Sequence, residues 1–204
     1  MNWLAHLLLA EPNPKGQLGN LLGDLVKGTA RKSLSLELQR GIACHQAIDI
    51  FTDRHAVVQH SKQSIDTEYR RFAGILTDVF YDYVLATNWQ DYSELPLKEF
   101  TTGIYASWSG HLEQLPLYAQ GVILCLIKED WLAEYATLPG IENTLAGISR
   151  RLNRRQRQRV YDLTPAINQL TANYVVFEQD FQEFFPQLQL YINSWQKNQP
   201  QIGD

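Results

Sequence analysis

The sequence predicts an all-α protein built as one helical domain. Apolar residues recur three and four positions apart along most of the chain, which is the period of a helix with one buried face. Segments that alternate apolar and polar residues are almost absent, and Gly and Pro separate the apolar stretches. With 204 residues, of which 45% are hydrophobic, the chain can enclose a single large core. We therefore expect residues 1–204 to form one bundle without an internal repeat or linker.

The first three helices are predicted from their caps and breaks. Asn2 can cap a helix that runs to about residue 10, and Pro12 ends it because proline disfavours helix in the residue before it. A second helix is expected over 17–27 and stops near Gly28. The third begins around Ser35 and carries the residues 41–53.

The remaining helices follow the same reasoning. Asp66 or Thr67 can cap a long helix with a buried apolar face, formed by Tyr69, Phe72, Leu76, Val79, Phe80 and Tyr83. Further helices are expected over 97–112, 116–135, 141–152 and 165–195. Pro186 should bend the last one because proline removes a backbone hydrogen bond.

The opening apolar run gives no sign of a targeting or membrane segment. Residues 3–10 are too few to cross a bilayer, His6 interrupts them, and no basic leader precedes them. We therefore expect a cytoplasmic protein that does not act at a membrane.

Side chains that can bind a divalent cation recur at helical spacing in the first 82 residues: His6, Asp24, His45, Asp49, Asp78 and Asp82. His45, Asp49 and Asp53 are four residues apart, so one stripe of a helix carries an imidazole and two carboxylates. Asp53 lies near the end of that helix, where we favour a role in capping the segment that starts near His55.

Two further pairs share helix faces, namely Asn20 with Asp24 and Asp78 with Asp82. Their apolar neighbours would desolvate isolated carboxylates, and two carboxylates about 4 Å apart repel by roughly 4 kcal/mol at an effective dielectric constant near 20. A divalent cation would relieve this repulsion, and a mostly oxygen ligand set with some imidazole nitrogen suits Mn²⁺, Mg²⁺ or Fe²⁺.

Structural interpretations of these residues stay open. Acid pairs four residues apart are common on solvated helix faces, and His45 with Asp49 is also the pattern of a hydrogen-bonded surface pair. His6, on an otherwise apolar helix, is also typical of a buried histidine that only supports the core.

An arginine cluster occupies 150–159 in a chain of net charge −4, and its candidate binding residues are Arg150, Arg151, Arg154 and Arg155. Such a cluster favours an anionic partner, although cations also stabilise the C-terminal end of a helix. Aromatic side chains that stack on bases are absent from the run, so we expect a phosphorylated ligand or an acidic protein, and not nucleic acid. The glycines at 16, 19, 23 and 28 lack the lysine of a phosphate loop and favour close helix packing.

Several motifs together resemble the acyl carrier protein phosphodiesterase family. The likeness is most specific in Asn2-Trp3-Leu4-Ala5-His6, Gly19-Asn20-Leu21-Leu22-Gly23-Asp24, Gly41-Ile42, His45, Ile48-Asp49 and Thr52-Asp53. It continues through Asp78, Asp82, Trp131-Leu132, Arg150-Arg151 and the aromatic residues Phe177, Phe181, Phe184 and Phe185-Pro186.

The resemblance implies a helical fold similar to the HD phosphohydrolases and a divalent metal, usually manganese. It also implies hydrolysis of the phosphodiester that joins 4′-phosphopantetheine to a serine of acyl carrier protein. No His-Asp dipeptide occurs in this chain, so the adjacent ligand pair of the HD proteins is missing.

On that resemblance, Asp24, His45 and one or both of Asp78 and Asp82 are expected to hold the metal, with His6 as a further ligand or as the residue that orients one. Asp49 is expected to orient His45 or to act as a general base. Asn20 is expected to hydrogen-bond the phosphate or Asp24.

Two other functions are compatible with the residues. The same cluster would serve another metal-dependent phosphohydrolase, for example one acting on a nucleotide. A non-catalytic helical module that binds an acidic partner would explain the arginines alone.

Overall fold

The computed structural model describes residues 1–155 and 159–200, with the side chain of Arg155 left out, and this part of the chain is helical and contains no strand. Its α-helices are α1 (Trp3–Leu9), α2 (Pro14–Leu25), α3 (Leu36–Arg54), α4 (Ala56–Gln63), α5 (Ala73–Thr87), α6 (Leu97–Ser107), α7 (Leu117–Glu129), α8 (Trp131–Glu134), α9 (Leu138–Arg155), α10 (Ile167–Ala172) and α11 (Tyr174–Lys197). Short 3₁₀ helices cover Gly28–Ser33, Thr67–Phe72, Trp89–Asp91, Leu112–Gln114 and Thr164–Ala166. The prediction of an all-α fold is confirmed.

Two helices, α2 and α3, form the tightest contact of the bundle. A Cβ atom on Gly19 would lie 2.4 Å from the Leu38 carbonyl oxygen, and one on Gly41 would lie 2.6 Å from the Gly16 carbonyl oxygen. Only glycine permits this approach, so the expectation of close helix packing is confirmed for Gly19. It is wrong for Gly28, where a Cβ atom would meet no atom of the described residues within 4 Å and where the φ of 63° lies in the left-handed region. The Ser35 side chain accepts a hydrogen bond from the Leu38 amide and caps α3 where the sequence predicts its start.

The core lies where α5 and α11 meet α3 and α4. Fully buried rings fill it, namely Phe80, Tyr81, Phe177, Phe181, Phe184 and Phe185. Edge-to-face contacts join α5 to α11, with the Phe80 and Phe177 centroids 5.2 Å apart and those of Tyr81 and Phe181 5.3 Å apart. Pro186 lies inside α11, which continues to Lys197.

Some predicted helix boundaries and caps are wrong. The Asn2 side chain does not cap α1 but donates to the Tyr135 hydroxyl group. Asp53 belongs to the last turn of α3, where it pairs with Lys62, and the separate helix α4 begins after His55 without a side-chain cap. The predicted helix over 116–135 divides at Asp130, whose φ of 49° lies in the left-handed region.

The long helix expected from 66 onwards is also divided, into the 3₁₀ helix Thr67–Phe72 and α5. Within the ranges 1–155 and 159–200, every helix is too short or too polar to span a bilayer.

Candidate metal and phosphodiester site

Two histidines from different helices stack face to face at the centre of the site. His6 lies on α1 and His45 on α3, and their ring centroids are 4.0 Å apart with an interplanar angle of 18°. Both are buried. Gly23 of α2 makes room for the pair, because a Cβ atom there would lie 2.3 Å from His45 Cγ. The close packing of α2 on α3 thus fixes the position of an imidazole.

The Asp49 carboxylate faces both rings. Its Oδ1 atom is 3.2 Å from His6 Nε2, and its Oδ2 atom is 3.1 Å from His45 Nε2. Burial acts to raise the pKa of Asp49, but the two imidazoles outweigh that effect and hold the pKa well below its ordinary value. Asp49 is therefore a carboxylate at neutral pH.

Asn20 contacts the other nitrogen of the His6 ring. Asn20 Oδ1 is 3.0 Å from His6 Nδ1. In the tautomer with the proton on Nδ1, that nitrogen donates to Asn20 and the lone pair of Nε2 is directed at Asp49. Burial, reinforced by the charge of His45, lowers the pKa of His6 to about 4. His6 is thus neutral at pH 7, and its buried Nε2 atom makes no hydrogen bond of good geometry with any described residue, although Asp49 Oδ1 is 3.2 Å away.

Asp24 completes the group from α2. The Trp3 indole nitrogen donates to Asp24 Oδ2 over 2.9 Å, and Asp24 Oδ1 is 3.9 Å from His45 Nε2. The Trp3 ring stacks on Trp131 with the centroids 6.1 Å apart. Trp3 therefore orients the Asp24 carboxylate toward His45.

These donors fit a divalent cation. In the tautomer with the proton on Nδ1, the lone pair of His6 Nε2 faces an ionised Asp49 oxygen 3.2 Å away, and a cation between them would relieve the repulsion. Two ligands at right angles around a small divalent cation, each bonded at about 2.1 Å, are about 3 Å apart. His6, His45 and Asp49 thus form a possible metal-binding group.

The carboxylates of Asp78 and Asp82 contact the start of α1, and not the two imidazoles. Asp82 Oδ2 accepts from the Leu4 amide over 2.7 Å, and its Oδ1 atom is 3.4 Å from the Ala5 amide. Asp78 Oδ1 accepts from the Met1 amino group over 2.8 Å. Both acids therefore hold the helix that carries His6, and Asp82 provides the cap that Asn2 was expected to provide.

Burial dominates the ionisation of this pair. It raises the pKa of Asp82 to about 7, although the N-terminal charge and the Leu4 and Ala5 amides act to lower it. Burial also raises the pKa of Asp78 despite the adjacent Met1 amino group. A ligand role for either acid stays a prediction, and the position of Asp82 favours support of α1.

A polar cavity of about 200 Å³ opens beside the histidines. Its lining includes Met1, Asn2, Asp24, His45, Asp49, Thr52, Asp53, Ile75, Asp78, Val79, Ile148 and Arg151. Among the described arginines of the predicted cluster, Arg151 alone lines it, while Arg150 and Arg154 are exposed elsewhere on α9. The side chain of Arg155 lies outside the described part. An anion in this cavity would meet Arg151 next to the His45 and Asp49 side chains.

Two contributors, Trp3 and Thr52, carried no assigned role in the sequence interpretation, and Gly23 was assigned only to helix packing. Trp3 holds Asp24, Gly23 admits the His45 ring, and Thr52 lines the cavity with a buried hydroxyl group that has no hydrogen-bond partner among the described residues. Trp3 and Gly23 lie within the motifs that carry the family resemblance. Thr52 lies one turn after Asp49, which was the available signal.

Two imidazoles and two carboxylates lie together beside a polar cavity on an all-α fold, and they form a candidate hydrolase site. The family model for acyl carrier protein phosphodiesterase matches residues 1–188. The chain belongs to that family.

Similar proteins carry the same name. The acyl carrier protein phosphodiesterase of Serratia proteamaculans is 35% identical, that of Pectobacterium atrosepticum is 34% identical, and that of Escherichia coli O157:H7 is 32% identical. Each match covers 92% of this chain and 95% of the relative. No solved structure matches this chain, so the likeness to HD phosphohydrolases stays a prediction.

Proposed function

We propose that this protein hydrolyses the phosphodiester between 4′-phosphopantetheine and the carrier serine of holo-acyl carrier protein. Water adds to phosphorus, the bond from phosphorus to the serine oxygen breaks, and a proton passes to that oxygen. The products are apo-acyl carrier protein and 4′-phosphopantetheine. The observation that carries the proposal is the His6, His45 and Asp49 group beside a cavity that also contains an arginine, in a chain of this family.

His6, His45, Asp49 and Asp24 would hold a divalent cation, with Mn²⁺ favoured and Mg²⁺ or Fe²⁺ also compatible with the donors. When bound, such a cation lowers the pKa of water and polarises a phosphoryl oxygen. The donor set contains two nitrogens and two carboxylates and no thiolate, which distinguishes it from a structural zinc site.

The protein side chains orient the reacting groups. Asp49 has a strongly lowered pKa, which makes it a weak proton acceptor, so we assign it the task of holding both imidazoles. Asn20 keeps the His6 Nε2 lone pair directed at the site, and Trp3 keeps Asp24 in place.

Arg151 is assigned to the phosphodiester. Arg151 lines the cavity together with Asp24, His45 and Asp49, and a guanidinium group can donate two parallel hydrogen bonds to phosphate oxygens. The exposed Arg150 and Arg154 would attract the acidic carrier from a distance, so their contribution should decrease as salt is added.

Mass spectrometry of purified holo-carrier tests the proposal. With Mn²⁺ and this protein, the carrier should lose the mass of 4′-phosphopantetheine, and the free prosthetic group should appear in solution. Asp49→Asn, which preserves side-chain shape, should abolish the reaction. An unchanged holo-carrier together with turnover of a nucleotide would reject this substrate in favour of another phosphohydrolase activity.

A further inference from the structure

Helix α8 and the residue that ends it contribute two aromatic side chains that contact the start of α1. The Trp131 ring stacks on Trp3, with the centroids 6.1 Å apart and an interplanar angle of 15°. The Tyr135 hydroxyl group accepts a hydrogen bond from the Asn2 side chain over 3.1 Å. Residues four apart lie on one face of a helix, so a single face of this short segment contacts both Asn2 and Trp3.

Asn2 and Trp3 connect this face to the candidate site. Asn2 lines the polar cavity, and the Trp3 indole nitrogen donates to Asp24 Oδ2 over 2.9 Å. The Asp24 side chain is 45% exposed, and among the described residues Trp3 alone donates a hydrogen bond to it. The orientation of the Asp24 carboxylate therefore depends on where the Trp3 ring lies.

A break in the chain places Trp131 against Trp3. The sequence predicts one helix over 116–135, but Asp130 has a φ of 49° and separates α7 from α8. The left-handed region is uncommon for a residue with a Cβ atom, although Asp adopts it more often than most. The direction of α8 thus comes from a backbone conformation that local propensity does not favour.

Helix α6 holds the break in place. Lys98 forms an ion pair with the Asp130 carboxylate, and the Tyr105 hydroxyl oxygen accepts from the Leu132 amide over 3.4 Å. Leu132 itself is fully buried. An uncommon backbone conformation persists only where its surroundings hold it, and such positions concentrate at functional sites. The contacts of α6 therefore keep Trp131 turned toward α1.

We propose that Trp131 is a positioning residue of the candidate site, which holds the Trp3 ring and through it the Asp24 carboxylate. The inference rests on the proposed function only for the role of Asp24 as a cation ligand. The link from Trp131 through Trp3 to Asp24 rests on the contacts themselves.

Nuclear magnetic resonance of the metal-free, full-length protein tests this link, because the chain has five tryptophans and each indole N–H gives one signal. Trp3→Phe identifies the Trp3 signal, and Asp24→Asn should shift it. Trp131→Ala should speed the exchange of this N–H with solvent by up to about tenfold, which is the factor that an aromatic pair contributes to an equilibrium constant. Trp131→Phe keeps a ring and should restore most of the protection.

Mn²⁺ affinity, measured by electron paramagnetic resonance, provides the second readout. Trp131→Ala should raise the Kd about tenfold, as expected for loss of a residue that orients a ligand. In a Trp3→Phe background, where no indole donates to Asp24, Trp131→Ala should weaken binding no further. The matched control is Trp195→Ala on α11, since Trp195 is also a partly buried tryptophan on the core and does not line the cavity. It should change neither readout.

Equal protection of the Trp3 indole in wild type and Trp131→Ala would overturn the proposal, as would an equal loss in Trp195→Ala. Effects of Trp131→Ala and Trp3→Phe on Mn²⁺ affinity that simply add would also overturn it. A wild-type protein that binds no Mn²⁺ would refute the cation role in the proposed function instead, and the indole exchange would still decide whether Trp131 holds Trp3.

Discussion

Asp82 offers the sharpest test of how the site is held, because a helix cap and a cation ligand at this position predict different effects on stability and on metal binding. As the structure has it, Asp82 is a buried cap that accepts from the Leu4 and Ala5 amides and fixes the helix carrying His6. If it were a cation ligand, its loss would remove metal binding directly. The perturbation is a pair of substitutions, Asp82→Asn and Asp82→Ala.

The expected magnitudes follow from the contacts. Asp82→Ala leaves the Leu4 amide, now bonded at 2.7 Å, buried without an acceptor, and the Ala5 contact at 3.4 Å adds little. An unsatisfied buried donor costs about 1–3 kcal/mol, so the free energy of unfolding should fall by about 2 kcal/mol at pH 4, where the folded state holds the carboxyl group protonated. Asp82→Asn keeps an oxygen for the Leu4 amide and should lose less than about 1 kcal/mol at that pH.

The pH dependence of stability isolates the carboxyl group. Because the pKa of Asp82 is raised from 3.8 to about 7, the folded state binds more protons than the unfolded state between these values. Its contribution to stability is therefore lost as the pH rises through this range, by up to about 4 kcal/mol. Asp82→Asn removes this loss, so its stability relative to wild type should increase from pH 4 to pH 7.

Urea denaturation at a series of pH values, combined with Mn²⁺ binding measured by electron paramagnetic resonance, provides the assay. A folded Asp82→Asn variant should keep its Mn²⁺ site. If that variant shows the wild-type pH dependence and no Mn²⁺ binding, Asp82 is a ligand and the capping account is wrong.

Three further outcomes are expected. Gly23→Ala should reduce carrier hydrolysis at least about a hundredfold with little change in helix content, because its methyl group would displace the His45 ring; unchanged activity would contradict this placement of His45. Arg151→Gln should reduce kcat/KM for holo-carrier about a hundredfold, and this loss should persist at high salt. Arg150→Gln should cause a small loss of kcat/KM that added salt removes. Equal losses would contradict the distinction between the two arginines. The pKa of His6 is lowered from 6.5 to about 4, so the unfolded state binds more protons than the folded state between pH 4 and pH 6.5. The contribution of His6 to the free energy of unfolding should therefore rise with pH across that range. In urea denaturation experiments at a series of pH values, His6→Asn should flatten this rise.

The sequence was most informative where spacing along one helix decides which side chains lie together. His45 and Asp49 share a stripe of α3, and the structure places their side chains 3.1 Å apart. The same reasoning grouped Asp78 with Asp82 correctly on one face of α5. It could not reveal that α1 packs on that face, since a periodic pattern does not specify the partner of a buried stripe.

Residues near helix ends were predicted least well, for a related reason. Asp53 continues the stripe of His45 and Asp49, yet α3 ends at Arg54 and Lys62 of α4 pairs with the Asp53 carboxylate. Asn2 is a good cap by residue type, but the backbone of α1 finds a stronger acceptor in Asp82, which is 78 residues away from Leu4 in the chain. Both outcomes depend on tertiary contacts that local propensity does not contain.

The central claim is that four side chains from three helices hold one divalent cation next to Arg151. A titration of the metal-free protein with Mn²⁺, followed by electron paramagnetic resonance of the free ion, measures this directly. The account predicts one saturable site in the wild-type protein that is lost in folded His45→Ala and Asp49→Asn variants. Equal Mn²⁺ binding by all three proteins, or none by the wild type, would contradict it.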